Sequence, residues 1–127
     1  MDNTSTAANV GEVAFAKLVG KTKSFLVTTP SVALGRETSS VDPAAPEPVL
    51  GIGQAKNISR RHAVISWDAA DRQWKITCIG KNGMEVDGQF FATSSPRGAG
   101  PTNLRDRAKI QIEDEVFFFL LPDTGRQ

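Results

Sequence analysis

The apolar residues of this chain fall into short bursts, and this pattern limits its possible folds more than any other feature. Each burst spans three to six residues, the length of a strand and too short for a typical helix. In one burst Trp74, Ile76 and Cys78 alternate with polar Lys75 and Thr77. This alternation indicates a strand with one buried face and one solvent-exposed face. The predicted strands cover residues 15–19, 24–27, 32–34, 63–67, 74–78, 84–86, 89–92, 109–112 and 116–121.

Turn-forming residues separate the bursts. Asn82-Gly83 precedes the predicted strand at residues 84–86, and Asp87-Gly88 joins that strand to the one at residues 89–92, as tight hairpins require. Short strands at roughly ten-residue spacing, without a long amphipathic helix, predict an all-β chain, and we expect an antiparallel β-sandwich. Two longer stretches, residues 37–55 and 93–102, are predicted as loops, with Gly51-Ile52-Gly53 a flexible part of the first.

The length of 127 residues suits a single domain, and 39% hydrophobic residues supply its core. We predict a flexible N-terminus at residues 1–13, a domain at 14–122 and a tail at 123–127. The single cysteine fits a reducing compartment, and the short apolar runs predict neither a signal peptide nor a membrane span. A net charge of +1 predicts no general attraction to nucleic acid or anionic lipid.

The inventory of reactive side chains argues against an enzyme. Ser59 and His62 are close in sequence, but the Gly-x-Ser-x-Gly segment that exposes a nucleophilic serine is missing. Gly51-Ile52-Gly53 lacks the third glycine and the Lys-Ser/Thr of a nucleotide-binding loop. Zinc needs several cysteine or histidine ligands, and the chain has only Cys78 and His62. We therefore predict no catalytic site, no metal and no cofactor.

The distribution of charge is more informative than its sum. Residues 37–53 carry three acidic side chains and no basic one, whereas residues 54–67 carry Lys56, Arg60 and Arg61 and no acidic one. This local positive charge lies beside the Ser59-x-x-His62 segment. It predicts either an anion-binding patch or a set of solvated loop charges, and for Arg61 we expect the solvated state.

Three short motifs stand at the ends of predicted strands: Gly35-Arg36, Ser59-x-x-His62 and Asn82-Gly83. Strand ends of a sandwich cluster at two poles, so loops from one pole can form a recognition site. In this order and spacing the motifs resemble the forkhead-associated (FHA) family of phosphothreonine-binding modules, over residues 14–122. The surrounding segments look closest to FHA domains of fork-head-type and related nuclear transcription regulators. The resemblance implies an FHA/SMAD-like sandwich of about eleven strands.

The resemblance also implies roles for individual residues. In the family the arginine after the glycine and the serine of Ser-x-x-His hold the phosphate, roles that fall to Arg36 and Ser59. The asparagine before the second glycine holds the peptide backbone, which assigns this role to Asn82. Arg60 occupies a family position that contacts phosphate or peptide, and Lys81 one that often supplies a hydroxyl or backbone group, so both are included in the predicted site. An arginine fork and a short hydroxyl suit a phosphate with three acceptor oxygens.

Further residues are expected to support the site rather than bind ligand. Gly35 and Gly83 are expected to permit turn backbone conformations, and His62 to order the loop that carries Ser59. Asn57 maps near the family position that reads the third residue after the phosphothreonine, and it is not included in the predicted site.

The function implied by the resemblance is noncatalytic binding of a phosphothreonine-containing protein by a monomeric, nuclear or nucleo-cytoplasmic regulatory module, with no small-molecule substrate and no membrane. One alternative is a phosphate-independent interaction or dimerisation module that uses a sheet face. The other is direct nucleic-acid binding, disfavoured by the near-neutral charge, through Lys56, Arg60, Arg61, Arg105, Arg107 and Lys109.

Overall fold

The computed structural model describes residues 14–37, 46–95 and 98–122, and these form eleven strands in two sheets. The prediction of an all-β sandwich of about eleven strands is confirmed. The strands are β1 (Ala16–Gly20), β2 (Ser24–Val27), β3 (Ser31–Arg36), β4 (Val49–Gly53), β5 (Ala63–Asp68), β6 (Gln73–Cys78), β7 (Met84–Val86), β8 (Gln89–Phe91), β9 (Thr102–Asn103), β10 (Ala108–Ile112) and β11 (Glu115–Leu120).

One sheet has six strands in the order β2-β1-β11-β10-β7-β8, and every neighbouring pair is antiparallel. The other has five strands in the order β4-β3-β5-β6-β9, in which only the β3–β4 pair is parallel. β4 runs beside β3 in the same direction, with Ala33 opposite Val49 and Gly35 opposite Gly51. The expected antiparallel sandwich therefore contains one parallel pair at a sheet edge.

The core lies between the sheets and follows the alternation in the sequence. Trp74, Ile76 and Cys78 of β6 are all buried, as their shared face predicts. In β11 Phe117 and Phe119 are buried while Phe118 between them is 44% exposed, because successive strand residues point to opposite faces. Burial in this core raises the pKa of the Cys78 thiol.

Two strands lie in stretches that the sequence predicted as loops. The predicted loop at residues 37–55 contains β4, so the interpretation of Gly51-Ile52-Gly53 as a flexible segment is wrong: Ile52 and Gly53 are buried. β9, at the end of the second predicted loop, has only two residues. The sequence did not predict β4 because two glycines interrupt its apolar pattern. It did not predict β9 because two residues are too few to show a pattern.

The predicted flexible N-terminus (residues 1–13) and tail (residues 123–127) lie outside the described residues. Within the described ranges, no helix is long and apolar enough to cross a membrane, and no group of histidine, cysteine or carboxylate side chains is arranged to hold a metal ion.

Candidate functional site

The strand register brings the predicted site segments to one pole of the sandwich. Leu34 pairs with Ala63 across β3 and β5, and Ala63 pairs with Cys78 across β5 and β6. The end of β3, the start of β5 and the end of β6 are therefore adjacent. Arg36 is the last residue of β3. The β4–β5 loop (residues 54–62) precedes β5, and the β6–β7 loop (residues 79–83) follows β6. We call this end of the molecule the loop pole.

His62 joins the loops of the loop pole from inside. Its side chain is fully buried, and its ring nitrogen Nδ1 accepts a hydrogen bond from the Ser59 backbone N–H at 2.9 Å. Because Nδ1 accepts, Nε2 carries the hydrogen and donates to the Gly83 carbonyl oxygen at 2.8 Å. The His62 carbonyl oxygen also accepts from the Ile79 and Gly80 backbone N–H groups, at 2.7 and 2.8 Å. One residue thus ties the β4–β5 loop to the β6–β7 loop.

Ser59 is held in place on both sides of its backbone. Its N–H donates to His62, and its carbonyl oxygen accepts from the Arg36 N–H at 2.9 Å. The preceding residue, Ile58, is fully buried and anchors the loop in the core. Within the described part of the chain the Ser59 hydroxyl has no hydrogen-bond partner, and the side chain is half-buried. The hydroxyl is thus available to a ligand on a loop whose backbone is fixed.

Three glycines at the loop pole leave room for neighbouring groups that a side chain would displace. Gly35 lies in β3 without a positive φ, so the expectation that it serves a turn conformation is wrong; a Cβ there would overlap the carbonyl oxygen of Arg60. A Cβ at Gly80 would stand 2.5 Å from the Nδ1 atom of His62. Gly83 does have a positive φ, of 81°, and its backbone lies against the ring of Phe90.

Besides Arg61, the cationic side chains of the loop pole are Arg36, Lys56, Arg60 and Lys81. The Arg36 guanidinium donates through Nη1 to the Lys56 carbonyl oxygen at 3.3 Å, which leaves most of its donors for other partners. Arg60 and Lys81 are exposed, and neither forms an ion pair with a described residue. The sequence placed these residues apart, and the fold brings them to one pole.

Arg61 forms an ion pair, contrary to the expectation that its charge is only solvated. Its Nε and Nη2 atoms bind the two carboxylate oxygens of Glu47 at 2.8 and 2.9 Å. The hydrogen bonds and charge of Arg61 hold the pKa of Glu47 below its usual value, and Glu47 in turn raises the pKa of Arg61. The Glu47 side chain is only 8% exposed. Arg61 is therefore neutralised by a carboxylate that precedes β4, and it adds little to the positive charge available to a ligand.

Asn82 connects the two loops from the solvent side. Its Nδ2 atom donates to the Asn57 carbonyl oxygen at 2.8 Å, and the Asn57 side chain donates through Nδ2 to Oε1 of Glu113 at 2.6 Å. Glu113 lies in the turn between β10 and β11, so this second contact joins the loop pole to the other sheet. The Asn82 side-chain oxygen remains an acceptor for a ligand backbone.

The structure adds residues that sequence reasoning did not select. Ile58 anchors the β4–β5 loop, Gly80 makes room for the His62 ring, and Glu113 contacts Asn57 from the opposite sheet. Ile58 and Gly80 lie within or beside motifs already singled out. Glu113 has no sequence signal, because it lies far along the chain from Asn57 and the contact depends on sheet packing.

The fold and the loop pole define a β-sandwich whose polar loops are joined by hydrogen bonds at one end, and the comparisons give the family of this fold. Residues 32–113 match the FHA domain family. The transcriptional activator FHA1 of Nicotiana tabacum is 35% identical over 120 residues, covering 93% of this chain and 54% of that protein. Fork head protein homolog 2 of Schizosaccharomyces pombe is 29% identical over 123 residues, covering 92% of this chain and 18% of that protein. The chain thus spans about half or less of these relatives.

A solved structure has the same fold. The N-terminal FHA domain of Saccharomyces cerevisiae Rad53p, in complex with a phosphothreonine peptide, matches with a TM-score of 0.63 and 14% identity, covering 89% of this chain and 97% of that one. The family match covers more than half of the residues, and the tobacco relative matches nearly the whole chain. The chain belongs to the FHA domain family, and its resemblance to fork-head-type and FHA transcription regulators is confirmed.

Proposed function

We propose that this chain is a noncatalytic module that binds phosphothreonine-containing segments of a partner protein at the loop pole. Arg36 and Ser59 hold the phosphate, Arg60 and Lys81 add positive charge, and Asn82 binds the ligand backbone. Gly35, His62 and Gly83 keep these side chains in place without contacting the ligand.

The observation that carries this proposal is the hydrogen bonding of Ser59, His62 and Arg36. It fixes a free hydroxyl and a largely unused guanidinium on adjacent backbone, beside two further cations that lack an acidic partner among the described residues. A phosphothreonine carries a charge of about −1.5 to −2 and three strong acceptor oxygens. A site whose donors are fixed before binding loses little entropy when the phosphate arrives.

The comparisons support the same proposal. An FHA domain of this fold is known with a phosphothreonine peptide bound, and the curated relatives include regulators of transcription. By extension, the partner of this chain is a phosphorylated protein of the nucleus, and the chain acts there as an interaction module and not as an enzyme.

Removal of Arg36 tests the site. An oriented phosphothreonine peptide library first selects a ligand for the isolated chain, with phosphoserine and unphosphorylated libraries as controls. Calorimetry should then show that Arg36→Ala weakens binding by at least about tenfold, since hydrogen bonds to a charged group contribute about 1.5–3 kcal/mol. Arg105→Ala, an exposed arginine before β10, should bind as the wild type does. Affinity of Arg36→Ala near that of the wild type would refute the site.

A sheet-face contact is a second candidate function. Leu26 is 54% exposed and Phe118 is 44% exposed, both on the outer face of the six-stranded sheet. Exposed large apolar side chains on one sheet face favour a protein contact that needs no phosphate. Binding of a partner equally well before and after phosphatase treatment, with loss on Phe118→Ser, would favour this function over the first.

The basic residues considered for nucleic-acid binding do not form one surface. Lys56 and Arg60 lie at the loop pole, whereas Arg105 and Arg107 precede β10 at the opposite pole, where the Arg107 N–H donates to Phe119 near the end of β11. Arg61 is paired with Glu47. This placement supports a phosphoprotein ligand over nucleic acid.

A further inference from the structure

Glu113 places a carboxylate next to the predicted phosphate site. It lies in the turn between β10 and β11 with a φ of 54°, and its carbonyl oxygen accepts from Nε2 of Gln111 at 3.1 Å. Its Oε1 atom accepts from Nδ2 of Asn57 at 2.6 Å. The turn and the amide together fix where this negative charge stands.

Asn57 connects this carboxylate directly to residues of the proposed site. The Asn57 carbonyl oxygen accepts from Asn82, and the carbonyl oxygen of the preceding Lys56 accepts from Arg36. The contacts of Arg36 and of Glu113 are therefore made to consecutive residues of the β4–β5 loop, Lys56 and Asn57. The Cα atoms of two consecutive residues stand about 3.8 Å apart, roughly the length that one residue of an extended ligand covers, so a ligand that reaches both contacts spans only a few residues.

The charge of Glu113 is not neutralised within the protein, as far as the described residues extend. No lysine, arginine or histidine there forms an ion pair with it, and its side chain is half-buried beside the loop. A single amide hydrogen bond uses only part of the acceptor capacity of a carboxylate. The carboxylate can therefore accept further hydrogen bonds from a ligand.

We propose that Glu113 is a specificity-determining residue that makes this chain prefer phosphothreonine segments with an arginine or lysine within about three residues of the phosphothreonine. This inference rests on the proposed function. The cations of the loop pole take the phosphate, and Glu113 takes the opposite charge at the other end of the Lys56-Asn57 segment. An acidic residue at the same ligand position is repelled, so the carboxylate discriminates between partners by charge.

The experiment uses phosphothreonine peptides that differ at one position. Each position from three before to three after the phosphothreonine is occupied in turn by arginine, its neutral analogue citrulline, or glutamate, in an otherwise alanine and glycine background. At the responding position the wild type should bind arginine about two- to fivefold more tightly than citrulline, the range expected for a partly exposed charge pair. Glutamate should bind more weakly than citrulline.

Variants assign the preference to Glu113. Glu113→Gln keeps an acceptor for Asn57 and should remove the difference between arginine and citrulline, while Glu113→Lys should reverse it in favour of glutamate. Asp114→Asn, an exposed residue of the same turn with the same change of charge, should keep the wild-type preference. Thermal melts test whether the three variants fold as the wild type does. The comparison of arginine with citrulline peptides on the wild type needs no variant.

The outcomes separate the two proposals. If the wild type binds no phosphothreonine peptide, the proposed function fails. If it binds phosphothreonine peptides but treats arginine and citrulline alike at every position, the role of Glu113 is overturned and the proposed function stands. A preference for arginine that persists in Glu113→Gln and in Glu113→Lys overturns it as well.

Discussion

His62→Ala should destabilise the whole domain, although His62 is expected to make no contact with ligand. The ring is fully buried, and its removal takes the partner from the Ser59 N–H and from the Gly83 carbonyl oxygen. An unsatisfied buried group costs about 1–3 kcal/mol, and the cavity beside Gly80 adds a packing loss. We expect the free energy of unfolding to fall by about 3–5 kcal/mol, or roughly 10–20 °C in melting temperature.

Ser59→Ala is the matched comparison. Its hydroxyl has no partner among the described residues, so the melting temperature should change by less than about 2 °C, while phosphopeptide affinity should fall. Urea titrations of both variants measure the stability, and calorimetry with a selected phosphothreonine peptide measures the affinity. Hydrogen exchange gives a local check, because the Ser59 amide should lose its protection in His62→Ala only. Equal thermal effects of the two substitutions would refute the division between support and ligand contact.

Three other predictions concern ligand, packing and charge. Phosphoserine in place of phosphothreonine should weaken binding by at least about fourfold in calorimetry, since one buried methyl group contributes about 0.8 kcal/mol; equal affinities would exclude threonine selectivity. Gly35→Ala should lower stability by about 2–4 kcal/mol in urea titrations, because its Cβ displaces the Arg60 carbonyl and breaks the Arg36–Ser59 hydrogen bond, and an unchanged midpoint would contradict the packing. Glu47→Gln should cost about 1 kcal/mol or less at pH 7. Because the folded-state pKa of Glu47 is lowered, this difference should vanish as pH falls through that pKa, and a difference that persists in acid would show another cause.

Local sequence patterns were sufficient for most of the strands. Alternation in β6 predicted which of its side chains are buried, because the period of two is a property of the strand itself. The nine predicted strands all exist, with ends that differ by at most two residues. β4, which the sequence did not predict, pairs in parallel with β3 at a sheet edge. Its glycine-rich sequence has no strand pattern of its own, so the strand depends on pairing with a segment that is not adjacent in the chain.

The residues of the loop pole were also found from short motifs, but their arrangement was not. Sequence identified Arg36, Ser59 and Asn82, and it could not show that Asn82 binds the Asn57 carbonyl or that Gly35 is needed for the close approach of Arg60. It assigned Arg61 to solvent, because nothing local indicates an ion pair with Glu47 across 14 positions.

The chain by itself therefore determined the strand pattern and the polar motifs, since both depend on neighbouring residues and on the period of an extended backbone. Only the tertiary structure decided which charges are paired and which remain free. Glu47 neutralises Arg61, while Glu113, brought to Asn57 by the packing of two sheets, has no cation beside it in the described residues. Charge pairing depends on distances between segments far apart in sequence, and those distances are set when the two sheets pack.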